Sequence, residues 1–135
     1  MPRFEFPRQD LPANVYFVGA LPIMLNQAPI PPWGHELDGS RKVALVTQGS
    51  VANYDFSQLI APTLEALADE KDVLVVVTGG GRSVTAIPGA IPENVQLADY
   101  LPFEWVLPKV DVFVTNGGYG SVDQALSHGI PLVTA

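Results

Sequence analysis

Continuous runs of apolar residues alternate along most of the chain with segments of helical spacing. The apolar runs predict five strands, at residues 42–47, 73–77, 95–98, 111–115 and 132–134. Residues 55–68 and 119–128 place apolar side chains on one helix face, and residues 103–107 favour a helical turn. Apolar strands that alternate with helices are typical of a parallel sheet covered on both faces. We therefore expect an α/β fold. The strand order that we expect, 3-2-1-4-5, is that of a doubly wound sheet and does not follow from the pattern itself.

The helix predicted at residues 55–68 contains a proline. Asp55 is placed to cap its N-terminus, and Gln58 follows three residues later, as in a capping box. Pro62 then lies inside the helix, because the apolar spacing continues past it. Proline there would either kink the helix or mark a first turn that begins later than Asp55. The sequence leaves both possibilities open.

Prolines dominate the first forty residues, which hold 7 of the 13 in the chain. Because proline fixes φ and lacks an amide hydrogen, this stretch excludes long helices and central strands. Residues 15–19 favour one short strand, and the apolar positions between residues 21 and 25 need a surface to cover. We divide the chain into a proline-rich interdomain linker at 1–40 and a partial domain at 41–135. Since the chain stops at its fifth predicted strand, we expect it to be a fragment.

Composition excludes several classes of function. The 135 residues suit one domain, and 7 basic against 14 acidic side chains give a net charge of −7. This balance argues against nucleic-acid and anionic-membrane partners. The chain has no cysteine, which excludes thiolate chemistry and favours the cytoplasm. Without a run of about 18 apolar residues we expect no membrane span, and with two distant histidines we expect no metal site.

Two glycine-bearing loops, at residues 48–50 and 116–118, follow the first and fourth predicted strands. Ligands of open α/β sheets bind beyond the carboxyl ends of strands where the strand order reverses, and order 3-2-1-4-5 would bring these loops together. The second loop opens a helix whose free N–H groups would attract phosphate, and Ser121 would add a hydroxyl. Alternatively, the glycines serve only tight strand-to-helix turns. The pattern leaves both open, because neither common phosphate-loop fingerprint is present.

Other polar or glycine-rich positions favour structural roles. We expect His35 on the surface, His128 at the end of a helix, Asp99 in loop hydrogen bonding and Asp111 at the start of a strand. The glycines at 79–81 favour a flexible turn over a phosphate cradle, because no helical pattern follows them. No spacing defines a catalytic triad or a carboxylate pair. The sequence therefore assigns no catalytic residue.

One long segment, DVFVTNGGYGSVDQALSHGIP at residues 111–131, resembles the donor-binding half of GT-B-fold enzymes of the UDP-glycosyltransferase superfamily. The segments DYLP at 99–102 and VTQGSVAN at 46–53 extend the resemblance, which runs from about Val15 to the end and is nearest to bacterial macrolide and natural-product glycosyltransferases. It implies a Rossmann-like sheet that forms half of a GT-B enzyme, truncated after the fifth strand. It also implies inverting transfer of a sugar from a UDP- or dTDP-sugar to a small-molecule hydroxyl.

The resemblance assigns contacts with the nucleotide-sugar donor to nine positions: Ser50, Tyr100, Leu101, Asn116, Gly117, Gly118, Gly120, Ser121 and Gln124. Ser50, the glycines and Ser121 match positions that hold the donor phosphates, and Tyr100 lies near an aromatic position that stacks on the base. Asn116 replaces a frequent His at the diphosphate, so it can donate a hydrogen bond without charge. Gln124 replaces a frequent Glu at the ribose, and Phe103 replaces a frequent Gln at the base.

The resemblance also implies what this chain lacks. The catalytic base belongs to an N-terminal acceptor-binding domain, and the residues that hold the sugar hydroxyls lie beyond Ala135. We therefore expect no cofactor and no metal, a nucleotide-sugar donor and the acceptor-binding domain as partners, and an inactive fragment. Two other interpretations stay open: a donor-binding subunit completed by a second chain, and a truncated relic that forms homo-oligomers through exposed apolar surface.

Overall fold

A computed structural model describes residues 8–19 and 28–135 of the chain. Over these ranges the chain forms a five-stranded sheet in which every pairing is parallel. The strands are β1 (Lys42–Thr47), β2 (Val73–Thr78), β3 (Val95–Ala98), β4 (Val112–Thr115) and β5 (Leu132–Thr134). Their order is β3-β2-β1-β4-β5. The predicted α/β fold, its five strands and their order are confirmed.

Helices lie on both faces of this sheet. The α-helices are α1 (Ile60–Leu67), α2 (Phe103–Val106) and α3 (Tyr119–Ser127). Short 3-10 helices occupy Pro32–Glu36, Val84–Ala86 and Leu107–Lys109. Within residues 8–19 and 28–135, no helix has both the length and the apolar character needed to cross a bilayer.

The core is split in two by the sheet, because successive side chains of a strand point to opposite faces. On one face Leu45, Val76 and Phe113 pack with residues of α2 and α3, Ala125 among them. On the other face the alternate strand residues pack with α1, chiefly through its buried Ile60 and Leu64. Since both faces are buried, the strands need apolar residues at every position, which explains the continuous apolar runs in the sequence.

Helix α1 begins later than its capping signal predicts. The carboxylate of Asp55 accepts hydrogen bonds from the backbone N–H (2.9 Å) and hydroxyl (2.6 Å) of Ser57, so it closes a local turn. The helix starts at Ile60, whose N–H donates to the side-chain oxygen of Gln48 at 3.4 Å. Pro62 therefore lies in the first turn, where no helical partner is lost. The predicted capping box is wrong, and the late start is the correct alternative.

The proline-rich segment is only partly as predicted. Residues 15–19 form no strand, and Tyr16 and Val18 are 79% and 77% exposed. That prediction is wrong, because an apolar run becomes a strand only where a neighbour pairs with it. Trp33 donates its indole N–H to the carbonyl of Leu97 at 3.1 Å, and Leu37 is buried in the core. This part of the predicted linker thus packs against the sheet. The apolar positions at 21–25 lie outside the described residues.

Candidate functional site

Three neighbouring strands end in the same pattern, a threonine followed by any residue and a glycine. Thr47 of β1 is the register partner of both Thr78 in β2 and Thr115 in β4. The glycines two residues later are Gly49, Gly80 and Gly117, with φ of +70°, +62° and +79°. Such positive φ values favour glycine and turn the chain sharply. The three strands therefore end at one level, and their loops meet at the carboxyl edge of the sheet.

The loops after β1 and β4 face each other, as predicted for neighbouring strands. The side-chain amide of Asn116 donates to the carbonyl oxygens of Gln48 at 2.8 Å and of Ala52 at 3.3 Å. On the other side, Gly80 packs directly against the carbonyl group of Gly49. The glycines at 79–81, which the sequence indicates as a flexible turn, thus form part of a packed cluster of loops.

A cavity of about 280 Å³ opens between these loops, α2 and α3. Its lining residues are Thr47, Gly49, Ser50, Thr78, Gly80, Tyr100, Leu101, Phe103, Gly120, Ser121 and Gln124. Six of the nine positions predicted to contact a donor are in this set, although they are spread over more than seventy residues of sequence. The remaining three, Asn116, Gly117 and Gly118, lie in the loop that leads into α3 and do not line the cavity.

The cavity offers hydrogen-bond donors rather than charges. No Lys, Arg, His, Asp or Glu is among the described residues that line it, and its polar side chains are hydroxyls and one amide. The α3 helix begins beside it, because Gly120 and Ser121 belong to both. A helix leaves its first N–H groups without helical partners, and Gly118 at the N-cap adds no side-chain cap. This end of the cavity is therefore suited to an anion held by neutral dipoles.

The other end of the cavity is aromatic and apolar. Tyr100 is 49% exposed there, Leu101 is buried, and Phe103 packs edge-on against Phe113 with ring centroids 5.8 Å apart. An exposed ring beside an apolar wall suits a flat ligand group. The arrangement therefore joins an anion-binding end to an end that can stack on a ring.

Sequence reasoning missed several cavity residues. Thr47, Thr78 and Gly80 line the cavity but were not assigned to a site. The hydroxyl of Thr47 accepts a hydrogen bond from the N–H of Gly49 at 3.1 Å, and that of Thr78 accepts one from the N–H of Gly80 at 3.4 Å. The repeated threonine-X-glycine pattern at three predicted strand ends was the available signal, because parallel strands place such ends side by side.

A second, larger cavity does not fit a ligand site as well. It measures about 990 Å³ and lies between α1 and residues 88–94, with Arg41 and Lys71 from the segments that precede β1 and β2. These residues mark the amino ends of the strands, whereas ligands of open parallel sheets bind at the carboxyl ends. The smaller cavity is therefore the candidate site.

Both histidines occupy the places expected from the sequence. His35 is exposed, with its Nδ1 atom 3.0 Å from the carbonyl oxygen of Pro32. His128 is the C-cap residue of α3, with Nδ1 3.0 Å from the carbonyl oxygen of Gln124. Among residues 8–19 and 28–135, no group of three or more His, Asp or Glu side chains is arranged to hold a metal ion. The expected absence of a metal stays a prediction.

The two aspartates are structural, as predicted. The Asp99 carboxylate accepts the N–H of Val84 at 2.8 Å. The Asp111 carboxylate accepts hydrogen bonds from the ammonium group of Lys42 at 2.8 Å and from the N–H of Val43 at 2.9 Å. The hydrogen bond from Lys42 is the main cause that lowers the pKa of the Asp111 carboxyl below its ordinary value. Asp111 thus ties the start of β4 to the start of β1.

Comparisons with known proteins agree with this architecture. Residues 62–135, more than half of the chain, match the family model described as Erythromycin biosynthesis protein CIII-like, C-terminal domain. The chain is 48% identical over its whole length to 4'-demethylrebeccamycin synthase of Lentzea aerocolonigenes, of which it covers 31%. It is 41% identical over 99% of its length to UDP-glucosyltransferase A1 of Starmerella bombicola, of which it covers 29%. The chain thus spans about three tenths of the length of these curated relatives.

A solved structure shows the same fold. The glycosyltransferase SnogD from Streptomyces nogalater matches with a TM-score of 0.70 at 26% identity, over 86% of this chain and 32% of that one. The sheet, with its order β3-β2-β1-β4-β5, is that of the C-terminal half of a GT-B glycosyltransferase. The chain belongs to the erythromycin biosynthesis protein CIII-like C-terminal domain family, and it is a glycosyltransferase C-terminal domain.

Proposed function

We propose that the chain forms the donor site of an inverting glycosyltransferase that moves a sugar from a UDP- or dTDP-sugar to a hydroxyl of a small-molecule acceptor. The observation that carries this proposal is the cavity at the carboxyl edge of the sheet. It collects Ser50, Tyr100, Leu101, Gly120, Ser121 and Gln124 around one space. Its anion-binding and aromatic ends correspond to the two ends of a nucleoside diphosphate.

In this proposal the diphosphate lies at the N-terminus of α3. Gly120 lets the backbone approach the phosphate oxygens, and Ser121 and Ser50 donate hydroxyl hydrogens. Gly117 and Gly118 lie beside the cavity in the loop that leads into α3, and the proposal extends the phosphate contacts to them. Negative charge grows on the diphosphate as the bond to the sugar breaks. Donors already aimed at that charge lower the barrier without reorganising. No basic side chain lines the described part of the cavity, so this stabilisation comes from N–H and O–H dipoles.

The nucleoside lies at the aromatic end of the cavity in the same proposal. Tyr100 and Leu101 contact the base, and Gln124 accepts or donates a hydrogen bond at the ribose. One relative is named a UDP-glucosyltransferase, which favours uridine in that protein. For this chain both UDP and dTDP remain candidates, because an amide at position 124 imposes no charge on the ribose.

The proposal places the remaining chemistry outside these 135 residues. Transfer needs a base that deprotonates the acceptor hydroxyl and a surface that aligns the acceptor. We propose that an N-terminal acceptor-binding domain supplies both, so that the isolated chain is inactive. No metal is assigned a role.

The proposal also covers compartment and source. The cysteine-free sequence favours the cytoplasm. The family resemblance stated from the sequence favours a bacterial source.

Calorimetric titration with UDP, dTDP and AMP tests the proposal. We expect one pyrimidine diphosphate to bind and AMP not to bind. We expect Ser121→Ala to weaken that binding about tenfold, the effect of losing one hydrogen bond to a charged group. Ser127→Ala is the matched control, because Ser127 is an exposed serine at the far end of the same helix.

Equal binding of AMP, or unchanged affinity in Ser121→Ala, would contradict the site assignment. The two alternative interpretations have their own tests. A donor-binding subunit would co-purify with an acceptor-domain chain. A self-associating relic would sediment as an oligomer, and a monomeric profile would exclude it.

A further inference from the structure

The loop that carries Ser50 is held from both sides by side-chain amides. We call residues 48–55 the Ser50 loop; it lies between the loops that follow β2 and β4. Gly49 at its start has φ +70°, and Ser50 is exposed. A glycine-bearing loop has much conformational freedom unless other groups restrain it. The position of Ser50 therefore depends on what anchors the loop.

On the β2 side the anchor is Asn53. Its side chain is 8% exposed, and its amide donates to the carbonyl oxygen of Gly79 at 2.8 Å. The guanidinium of Arg82 returns a hydrogen bond to the carbonyl of Asn53 at 3.0 Å and lies over the ring of Phe56, 5.2 Å from its centroid. This network fixes the end of the Ser50 loop to the turn after β2.

On the β4 side the anchor is Asn116. Its amide nitrogen donates to the carbonyl oxygens of Gln48 at 2.8 Å and Ala52 at 3.3 Å. An amide has two hydrogens, and two carbonyls that belong to the Ser50 loop account for both. In this conformation the donors of Asn116 thus bridge two loops and do not point to a ligand. The family resemblance assigns a phosphate contact to Asn116, whereas in this structure its amide is hydrogen-bonded to the neighbouring loop.

We propose that Asn53 and Asn116 are a pair of positioning residues that hold the Ser50 loop in the shape that presents Ser50 to the donor diphosphate. The proposal rests on the proposed function of the cavity. Removing the Asn116 amide leaves the carbonyls of Gln48 and Ala52 without this donor. Removing the Asn53 amide breaks the link from the Ser50 loop to Gly79, whose carbonyl keeps the N–H of Arg82 at 3.1 Å. The loop would then sample other shapes, and binding of the phosphates would weaken. The base-binding end, formed by Tyr100, Leu101 and Phe103, carries no bond to either asparagine in the described structure.

The chain offers a matched control in Asn94. This side chain is also 8% exposed, and its amide donates to the carbonyls of Leu67, Glu70 and Val73 at 2.9, 3.1 and 3.2 Å. These bonds lie at the amino end of the sheet, away from the candidate cavity. Asn94→Ala therefore removes the same chemistry and destabilises the fold without reaching the Ser50 loop.

The experiment has two readouts on Asn53→Ala, Asn116→Ala and Asn94→Ala in the full chain. The first is the NMR order parameter of the backbone amides at 49–52 without ligand, which reports how far the loop moves. The second is the ratio of the dissociation constants for UDP and uridine, which share the base and differ in the phosphates. The variants Asn53→Leu and Asn116→Leu keep a similar side-chain volume and remove the donor without adding charge, so they replace any alanine variant that fails to fold.

We expect the Asn53 and Asn116 variants to lower the order parameters at 49–52 to below about 0.6, the range of a flexible backbone. UDP binding should weaken about tenfold and uridine binding by less than about twofold. Asn94→Ala should change neither readout. Unchanged order parameters at 49–52, or an equal loss of UDP and uridine binding, overturn the proposal. If the order parameters fall but the unmodified chain binds neither nucleotide, the anchoring of the loop stands and the proposed function fails.

Discussion

A Cβ atom on Gly80 would lie 2.1 Å from the carbonyl oxygen of Gly49, so the turns that end β2 and β1 touch backbone to backbone. No side chain fits between two turns at this separation. Both glycines also have positive φ and line the candidate cavity. The close contact therefore sets the width of the cavity at the point where two strands end.

Gly80→Ala tests this contact. The new methyl group must displace the Gly49 carbonyl, and alanine must adopt a φ of +62°. We expect a loss of about 2–4 kcal/mol in the free energy of unfolding, the sum of backbone strain and overpacking. Denaturation in urea measures it. Gly81→Ala is the control, because Gly81 has φ +97° with nothing within 4 Å of its Cβ position. Equal losses in the two variants would show that the contact contributes nothing.

Tyr100→Ala should distinguish binding of the base from binding of the phosphates. Tyr100 lines the aromatic end and is half-exposed, so its ring is free to stack on a base. We expect uridine and UDP to lose affinity together, by about tenfold, the value of one stacking contact. Tyr16→Ala is the control, since Tyr16 is 79% exposed and does not line the cavity. Nucleotide titration followed by calorimetry measures both, and a loss confined to UDP would place the base elsewhere.

Trp33→Ala should destabilise the sheet domain although Trp33 falls in the proline-rich segment. The indole bonds to the carbonyl of Leu97, and its ring centroid lies 6.4 Å from that of Trp105. For a half-buried tryptophan we expect a loss of about 2–3 kcal/mol in the free energy of unfolding. Tyr16→Ala should have almost no effect, because Tyr16 is 79% exposed. If thermal unfolding finds the two variants equally stable, residues around Trp33 do not belong to the folded domain.

Asp111→Asn should change how stability depends on pH. The folded-state pKa of Asp111 lies below its ordinary value, mainly because of the hydrogen bond from Lys42. The interaction therefore contributes stability above about pH 4, the unfolded-state pKa, and loses it as pH falls through the lower folded-state pKa. Asp111→Asn removes the charge, but its side-chain oxygen can still accept the N–H of Val43. Because the ion pair is largely exposed, we expect a loss of less than about 1 kcal/mol at pH 7 and a flatter decline on acidification. Urea denaturation between pH 7 and pH 2 measures this.

Lys42→Met is the comparison for Asp111→Asn. It removes the ion pair but leaves the hydrogen bond from the N–H of Val43 to Asp111. Because the Lys42 ammonium is largely exposed, the ion pair alone contributes little. We expect a loss at pH 7 similar to that in Asp111→Asn, because both variants remove the ion pair and keep an acceptor for Val43. A larger loss in Asp111→Asn would mean that the carboxylate charge also strengthens the hydrogen bond from the Val43 N–H.

The sequence was sufficient to predict the strands of the sheet, because burial on both faces requires apolar residues at every strand position. The run at 73–77 therefore identifies β2 without any neighbour being known. The same reasoning failed at 15–19, where an apolar run has no strand beside it in the described structure. It also failed at Asp55, because an aspartate that closes a local turn and one that caps a helix give the same local pattern.

The family resemblance located six of the cavity residues, but it could not show what each side chain does. Asn116 appears in the motif as a candidate phosphate contact, whereas its amide bridges to carbonyls of Gln48 and Ala52. Asn53 has no local signal at all, because its partner Gly79 lies 26 residues away along the chain. Such partners depend on the register of neighbouring strands, which no local pattern encodes.

Thus the sequence by itself determined the strands, the turning glycines and the family. These features follow from hydrophobic periodicity, from the backbone freedom of glycine and from a long motif, all of which are readable within one segment. The tertiary structure alone decided which loops touch, which amides hold them and where the cavity opens. Those contacts join residues up to 68 positions apart, such as Asn116 and Gln48, and they exist only because parallel strands bring their carboxyl ends to one edge of the sheet.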